Sequence, residues 1–152
     1  MRLVKHITSD IPRDDWLKIW NESVSGHLSS NVRDTTWDRL MDEDVPLFGL
    51  MAYDDRVPVG FMHYALHPIS GAIEPAAYLQ DMFVLPKFRR RGYARAMMNE
   101  LIKVGQNSQW DRVLWVVDHG NDAAQKLYEN FGTALDFNFY IYPIAMLKRL
   151  MN

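Results

Sequence analysis

The chain has 152 residues, 48% of them apolar and 24% charged, with a formal net charge of −2 and a pI of about 6.2. That balance fits one ordinary globular domain over residues 1–152 and excludes the strong basic excess of a protein that coats nucleic acid, so no nucleic-acid partner is expected. The absence of cysteine excludes a disulfide framework, a thiolate metal site and a cysteine nucleophile, and it agrees with a cytoplasmic location.

No apolar run approaches the ~20 residues that span a bilayer. The opening MRLVKHITSDIPRDDW carries no long apolar segment followed by a cleavage site. Neither a membrane partner nor a signal peptide is expected. In chain order, Leu3 to Thr8 alternates weakly and reads as a first strand. Pro12 is placed to open a helix in which Trp16, Leu17, Ile19, Trp20 and Val24 recur at helical spacing. A second helix follows Asn31, with Trp37, Leu40 and Met41 inward, and stops at Asp42, Glu43, Asp44 and Pro46. Leu47 to Tyr53, the turn Asp54-Asp55-Arg56 and Val57 to Leu66 read as a hairpin. After a loop from Pro68 to Pro75, Tyr78 to Val84 is a fourth strand. Ala94 to Val104 is a helix with Ala94, Met97, Met98, Leu101 and Ile102 on one stripe and Gly105 as its stop. Val113 to Val117 is a short strand, and Asn121 caps a helix ending before Gly132. Asp136 to Tyr142 reads as a last strand and Ile144 to Met151 as an amphipathic tail. Antiparallel strands lead and βα units follow, which predicts a mixed α+β sheet.

The chemistry lies in Tyr78 to Ala94, YLQDMFVLPKFRRRGYA. A strand runs into a basic, glycine-containing loop and a helix opens at once. This arrangement presents backbone N–H groups and a positive helix end to an anion. Gly92 permits close backbone approach or a positive φ, and Arg89, Arg90 and Arg91 bring charge suited to phosphate. Taken alone, three arginines in a turn are a solvated basic loop; their place between strand and helix is what points to a ligand. Neither GxxxxGK(S/T) nor GxGxxG occurs, so the P-loop and dinucleotide fingerprints are excluded.

Arg89-Arg90-Arg91-Gly92-Tyr93-Ala94 resembles the Q/R-x-x-G-x-G/A pyrophosphate loop of GNAT-superfamily N-acetyltransferases, and Asn121 to Gly132, NDAAQKLYENFG, is similar to that family's N-x-x-A-x-x-L-Y segment. The phrases YLQDMFV and PVGFMHYALH, with Thr36 to Leu40, resemble the small histone and polyamine acetyltransferases and their bacterial homologues. The resemblance implies the GNAT (acyl-CoA N-acyltransferase) fold, with splayed fourth and fifth strands, and acetyl-CoA as cosubstrate. It implies an amine acceptor, small molecule or peptide, that attacks directly in a ternary complex without a metal or a covalent acyl-enzyme. It places cofactor contacts at Met82, Phe83, Val84, Arg89, Arg90, Arg91, Gly92, Tyr93, Ala94, Arg95, Asn121 and Ala124. Tyr128 would protonate the departing thiolate.

The general base is open. Gln80 stands where polyamine-acetylating relatives have glutamate, and an amide is no proton acceptor. Asp81, His119, His63 and Glu74 are the candidates, with ordered water as the other route. Strand alternation sets Asp81 on the face opposite Gln80, which counts against it; His119 closes the fifth strand. Trp16, Trp20 and Trp37 read as core, although in the family those helices wall the acceptor pocket, where Asp42, Glu43 and Asp44 would attract a cation. The apolar tail FNFYIYPIAMLKRL and the family branch lead to the expectation of a homodimer. The second functional reading is an acyl-CoA-binding module without turnover.

Overall fold

A computed structural model describes residues 1–145, and the chain divides into two compact units, Met1–Asp118 and His119–Asn152. The first unit is a five-stranded sheet in the order β1-β2-β3-β4-β5. Its strands are β1 (Arg2–His6), β2 (Leu47–Asp54), β3 (Val57–His67), β4 (Ala76–Val84) and β5 (Arg112–Leu114). Its helices are α1 (Arg13–Ser23), α2 (Ser30–Met41) and α3 (Tyr93–Asn107), with a 3-10 turn at Pro86–Phe88. The strands pair antiparallel from β1 to β4, while β5 joins β4 parallel. This is the mixed α+β sheet that the element order predicts.

Local chemistry explains the helices. Pro12, at φ −60° and ψ 125°, leads the chain into α1, and Asp14 and Asp15 in the first turn complement the helix dipole. Ser29 caps α2 by accepting from the Val32 N–H. The predicted stripe of α1 is real: Trp16, Ile19 and Trp20 are buried in one cluster with Met51, Tyr53, Phe61 and Leu85 of the sheet region. Gly60 and Met62 alternate with Phe61 and so face the other side, where the Met97 side chain of α3 reaches Gly60. Met97, Met98 and Leu101 are fully buried there. At about 25 cal/mol for each Å² of apolar surface removed from water, these two layers dominate the stability of the unit.

Several boundaries differ from the expectation. Gly105 does not end α3, which runs on to Asn107. The glycine is buried, and a Cβ there would lie 2.8 Å from the Trp110 ring, so its small size seats that indole. β5 is Arg112–Leu114 rather than Val113 to Val117, and β4 begins at Ala76. In the second unit α4 covers Asp122–Tyr128 with Asn121 as its cap, as expected. Asp136 to Tyr142 forms no strand. Phe137, Phe139, Tyr140, Ile141 and Tyr142 are instead 64% to 84% exposed. Alternation sets which side chains share a face, but a strand forms only where a neighbour accepts its hydrogen bonds. Of the amphipathic tail, Ile144 is exposed, while Met146, Leu147 and Leu150 lie outside the described residues.

Gly105→Val should lower unfolding stability by about 1–3 kcal/mol, the usual cost of overpacking. Urea denaturation reads this as a lower midpoint with unchanged slope. An unchanged midpoint would show that Trp110 does not need the glycine.

Candidate active site

The site starts where β4 and β5 part. Their pairing consists of Ala76 with Arg112, Ala77 with Val113 and Tyr78 with Leu114, and among the described residues β4 then continues from Leu79 to Val84 along β3 alone. The Leu85 N–H donates to the Val59 carbonyl at 2.8 Å. By antiparallel alternation Phe83 also turns its backbone groups to β3, and Met82 and Val84 turn theirs to the open edge. The three residues expected to meet the cofactor are thus of two kinds. Met82 and the Val84 N–H face the gap, the Val84 carbonyl accepts from Arg89, and Phe83 is bonded into the sheet.

A second feature of β4 corrects the sequence reading. The register with β3 shifts between His63 and Tyr64: His63 stands opposite Asp81, and Tyr64 opposite Leu79. Gln80 is the additional residue of a β-bulge. A bulge breaks the period-two rule, so Asp81 is not placed opposite Gln80 by alternation, and both side chains are exposed. Asp81 meets His63, whose Nδ1 lies 3.1 Å from the Asp81 Oδ2. His63 is itself buried, and its Nε2 accepts from the Trp16 indole N–H at 2.8 Å. Two of the four base candidates are therefore joined to each other and to a core tryptophan. Glu74 lies exposed in the loop before β4, and His119 is exposed in the second unit, where its carbonyl accepts from the Gln125 amide.

The basic loop is built from within. Arg89 Nε donates to the Val84 carbonyl at 2.9 Å, and its guanidinium lies over the Phe83 ring. Arg91 lies over Phe88. Arg89 therefore braces the loop against the end of β4, a role the arginine run alone does not disclose. Arg90 takes φ +62° and Gly92 φ +84°, two left-handed residues that fold the chain into the start of α3. No side chain caps that helix, and its first intrahelical bond runs from the Ala96 N–H to the Gly92 carbonyl. The N–H groups of Gly92, Tyr93 and Ala94 consequently have no partner inside the helix. The start of α3 thus exposes backbone N–H groups at its positive dipole end. The Tyr93 side chain is buried, with its phenol raised by that burial and then by a hydrogen bond to Asp54, so Tyr93 anchors the helix. Arg95 is exposed in the first turn. A residue that sequence reasoning missed also stands here: the Arg2 guanidinium packs where a Gly92 Cβ would be. Its signal was the pairing of Arg2 with Asp54 at the same end of the sheet, which no local motif carries.

In the second unit Asn121 Oδ1 accepts from the Ala124 N–H at 3.2 Å, so that N–H serves the cap. Tyr128 ends α4, and burial raises its phenol above the ordinary value. It therefore stays protonated at neutral pH and can serve there as an acid, not as a base.

The uncapped start of α3 thus follows directly on the basic loop at the end of β4, whose outer edge is open past Tyr78. Residues 8–133 match the family model described as the acetyltransferase (GNAT) family. This chain belongs to the GNAT acetyltransferase family. It is 30% identical over 136 residues to the D-amino-acid N-acetyltransferase HPA3 of Saccharomyces cerevisiae, covering 85% of this chain and 84% of that protein. Its fold is similar to that of AAC(6')-Iy in complex with a CoA-linked bisubstrate analogue, with TM-score 0.80, 20% identity and coverage of 94% and 97% of the two chains. It is similar too to an aminoglycoside acetyltransferase from an uncultured soil metagenomic sample in complex with sisomicin, with TM-score 0.80, 13% identity and coverage of 93% and 95%. The GNAT chain is thus an acetyl-CoA-dependent N-acetyltransferase that transfers acetyl to an amine, and nothing in these relatives supports a non-catalytic module. Among its described residues, no helix is long and apolar enough to cross a membrane.

Gly92→Glu should abolish measurable acetyl-CoA binding in calorimetry. The new side chain meets the Arg2 guanidinium, strains a left-handed residue and sets a negative charge in an anion cradle. A folded variant with unchanged affinity would remove the loop from the cofactor site.

Proposed function

We propose that the chain acetylates the primary amine of a small-molecule acceptor, with free amino acids the first class to test, and that it works as a cytoplasmic homodimer. The observation that carries the reading is the open edge of β4 running into the Gly92 cradle. The yeast relative's name supplies the acceptor class. The family match runs from residue 8 to 133 and spans both units, which supports one acetyltransferase domain.

Bound acetyl-CoA supplies the acetyl group as a thioester activated toward amines. Gly92, Tyr93 and Ala94 offer backbone N–H groups to its pyrophosphate, and Arg90, Arg91 and Arg95 add positive charge. Met82 and Val84 pair with its pantetheine amides, and a backbone N–H of β4 polarises the acetyl carbonyl, the logic of an oxyanion hole. Phe83 and Arg89 hold strand and loop in shape. Asn121 and Ala124 start α4, and Tyr128, kept protonated by burial, delivers the proton to the departing sulfur. The exposed apolar run from Phe137 to Ile144 supports the dimer, because surface of that kind is costly in water unless a neighbour covers it.

A thiol-release assay with acetyl-CoA and D-amino acids, L-amino acids, a polyamine and an aminoglycoside tests the acceptor. Turnover with amino acids above the other amines is expected. Binding of acetyl-CoA without turnover of any amine would return the chain to the non-catalytic reading. Tyr128→Phe should lower kcat by roughly ten- to a thousand-fold with little change in cofactor affinity, the lower part of the range for a positioned proton donor and below. Full kcat in that variant would remove Tyr128 from the chemistry. Light scattering should give twice the chain mass at micromolar concentration, and Phe139→Asp with Ile141→Asp should give the monomer. A monomeric wild type would reject the dimer and leave the catalytic assignment standing.

A further inference from the structure

We infer that Asp81 is the group that takes the proton from the incoming ammonium, and that His63, locked by Trp16, is the positioning residue that aims it. The inference rests on the N-acetyltransferase reading. It begins from a deficiency, since Gln80 has no basic group to offer. The bulge that makes Gln80 an extra residue sets Asp81 beside it, one residue before Met82, whose backbone faces the open edge.

The hydrogen-bond chain has one consistent proton arrangement. An indole N–H only donates. The His63 Nε2, 2.8 Å from Trp16 Nε1, must accept, so the neutral ring carries its proton on Nδ1. That N–H donates to the Asp81 Oδ2 at 3.1 Å. His63 is 1% exposed and is walled by the rings of Trp16 and Trp20 from α1 and Phe61 from its own strand. None of those rings titrates, so the ionisable group hydrogen-bonded to His63 is Asp81 itself. The imidazole has little room to turn, and the carboxylate is held from the protein side. Asp81 is 49% exposed on its other side. A carboxylate accepts at about four lone-pair positions. One bond from His63 leaves capacity for an ammonium N–H, and the exposed side lets the captured proton pass to water.

The step balances. The acceptor arrives as an ammonium with three protons on nitrogen. One moves to the Asp81 carboxylate and frees the lone pair. The nitrogen attacks the acetyl carbonyl, the C–N bond forms and the C–S bond breaks, with its electron pair leaving on sulfur. The sulfur takes the Tyr128 proton, and the second nitrogen proton restores Tyr128 through water. The amide keeps one proton, and Asp81 releases its own to solvent.

The test compares wild type, Asp81→Asn, Asp81→Glu, His63→Asn and His63→Leu in thiol release with the best amine of the panel. Acetyl-CoA affinity measured by calorimetry serves as the check on folding. Asp81→Asn should lose about 100-fold in kcat at neutral pH, the scale of a general base, with cofactor affinity unchanged. The deficit should shrink from about pH 7 to about pH 9, because an alkyl amine of pKa near 10 then deprotonates itself more often. A structural defect would not recover in that way. Asp81→Glu should regain much of the loss. His63→Asn, whose amide can still donate to Asp81, should keep more kcat than His63→Leu. An Asp81→Asn enzyme as fast as wild type, or one whose deficit is the same at every pH, would overturn the Asp81 assignment. Equal rates for His63→Leu and wild type would overturn the positioning role. A wild type whose thiol release is raised by none of the amines in the panel would overturn the acetyltransferase reading itself, and the two failures are thereby told apart.

Discussion

After Tyr78, β4 has no parallel neighbour among the described residues to receive its hydrogen bonds, while on its other edge β3 holds it through Val84. Backbone N–H and C=O groups left unpaired near a core are costly, so a strand in this state needs water or a ligand with amides of its own. The rest of the site is arranged around that edge. The loop that follows is braced to the strand end by Arg89 and bent by two left-handed residues, and it delivers a helix whose first N–H groups lie uncapped. The bulge opposite His63 turns an acidic side chain out of the ordinary alternation at the same stretch of strand. One irregular strand thus joins an open edge, a braced basic loop and an exposed carboxylate.

The helices and the cofactor loop were legible in the sequence because their signals are local. Trp16, Ile19 and Trp20 recur at helical spacing, Asn121 sits at a cap position, and the arginine-glycine run lies between a strand and a helix, whereas α2 starts at Ser30 behind its Ser29 cap and not after Asn31. What failed to show depended on partners distant in the chain or outside it. Gly105 reads as a helix stop until Trp110 is seen to need its missing side chain. Phe137 to Ile141 alternates like a strand, yet no neighbour pairs with it within the described residues. The bulge is invisible in β4 alone, since YLQDMFV could alternate without interruption; only the register against β3 reveals Gln80 as the extra residue. The hydrogen-bond chain from Trp16 to His63 to Asp81 joins three separate elements, α1, β3 and β4. Its one sequence trace was a tryptophan on a buried stripe, because a buried indole N–H usually finds an acceptor.

The same chain bears on why a polar ring is kept within an apolar cluster. Burying an imidazole costs free energy unless both nitrogens are satisfied, and here each has a partner. Removing the histidine would strand a buried indole donor, at a cost of about 1–3 kcal/mol. His63 is therefore coupled to stability through Trp16 and to the surface through Asp81, and a change at either end is felt at the other. Acetyl transfer from a thioester to an ammonium makes a proton surplus at nitrogen and a deficit at sulfur. At Tyr128 burial raises the phenol above its ordinary value, so it keeps its proton at neutral pH. Asp81 has the opposite setting, a carboxylate steered from the core and open to solvent, where a captured proton can be lost after each turnover. In the proposed reading the half-buried Tyr128 gives a proton and the exposed Asp81 takes one, and that difference in setting would give the proton flow its direction.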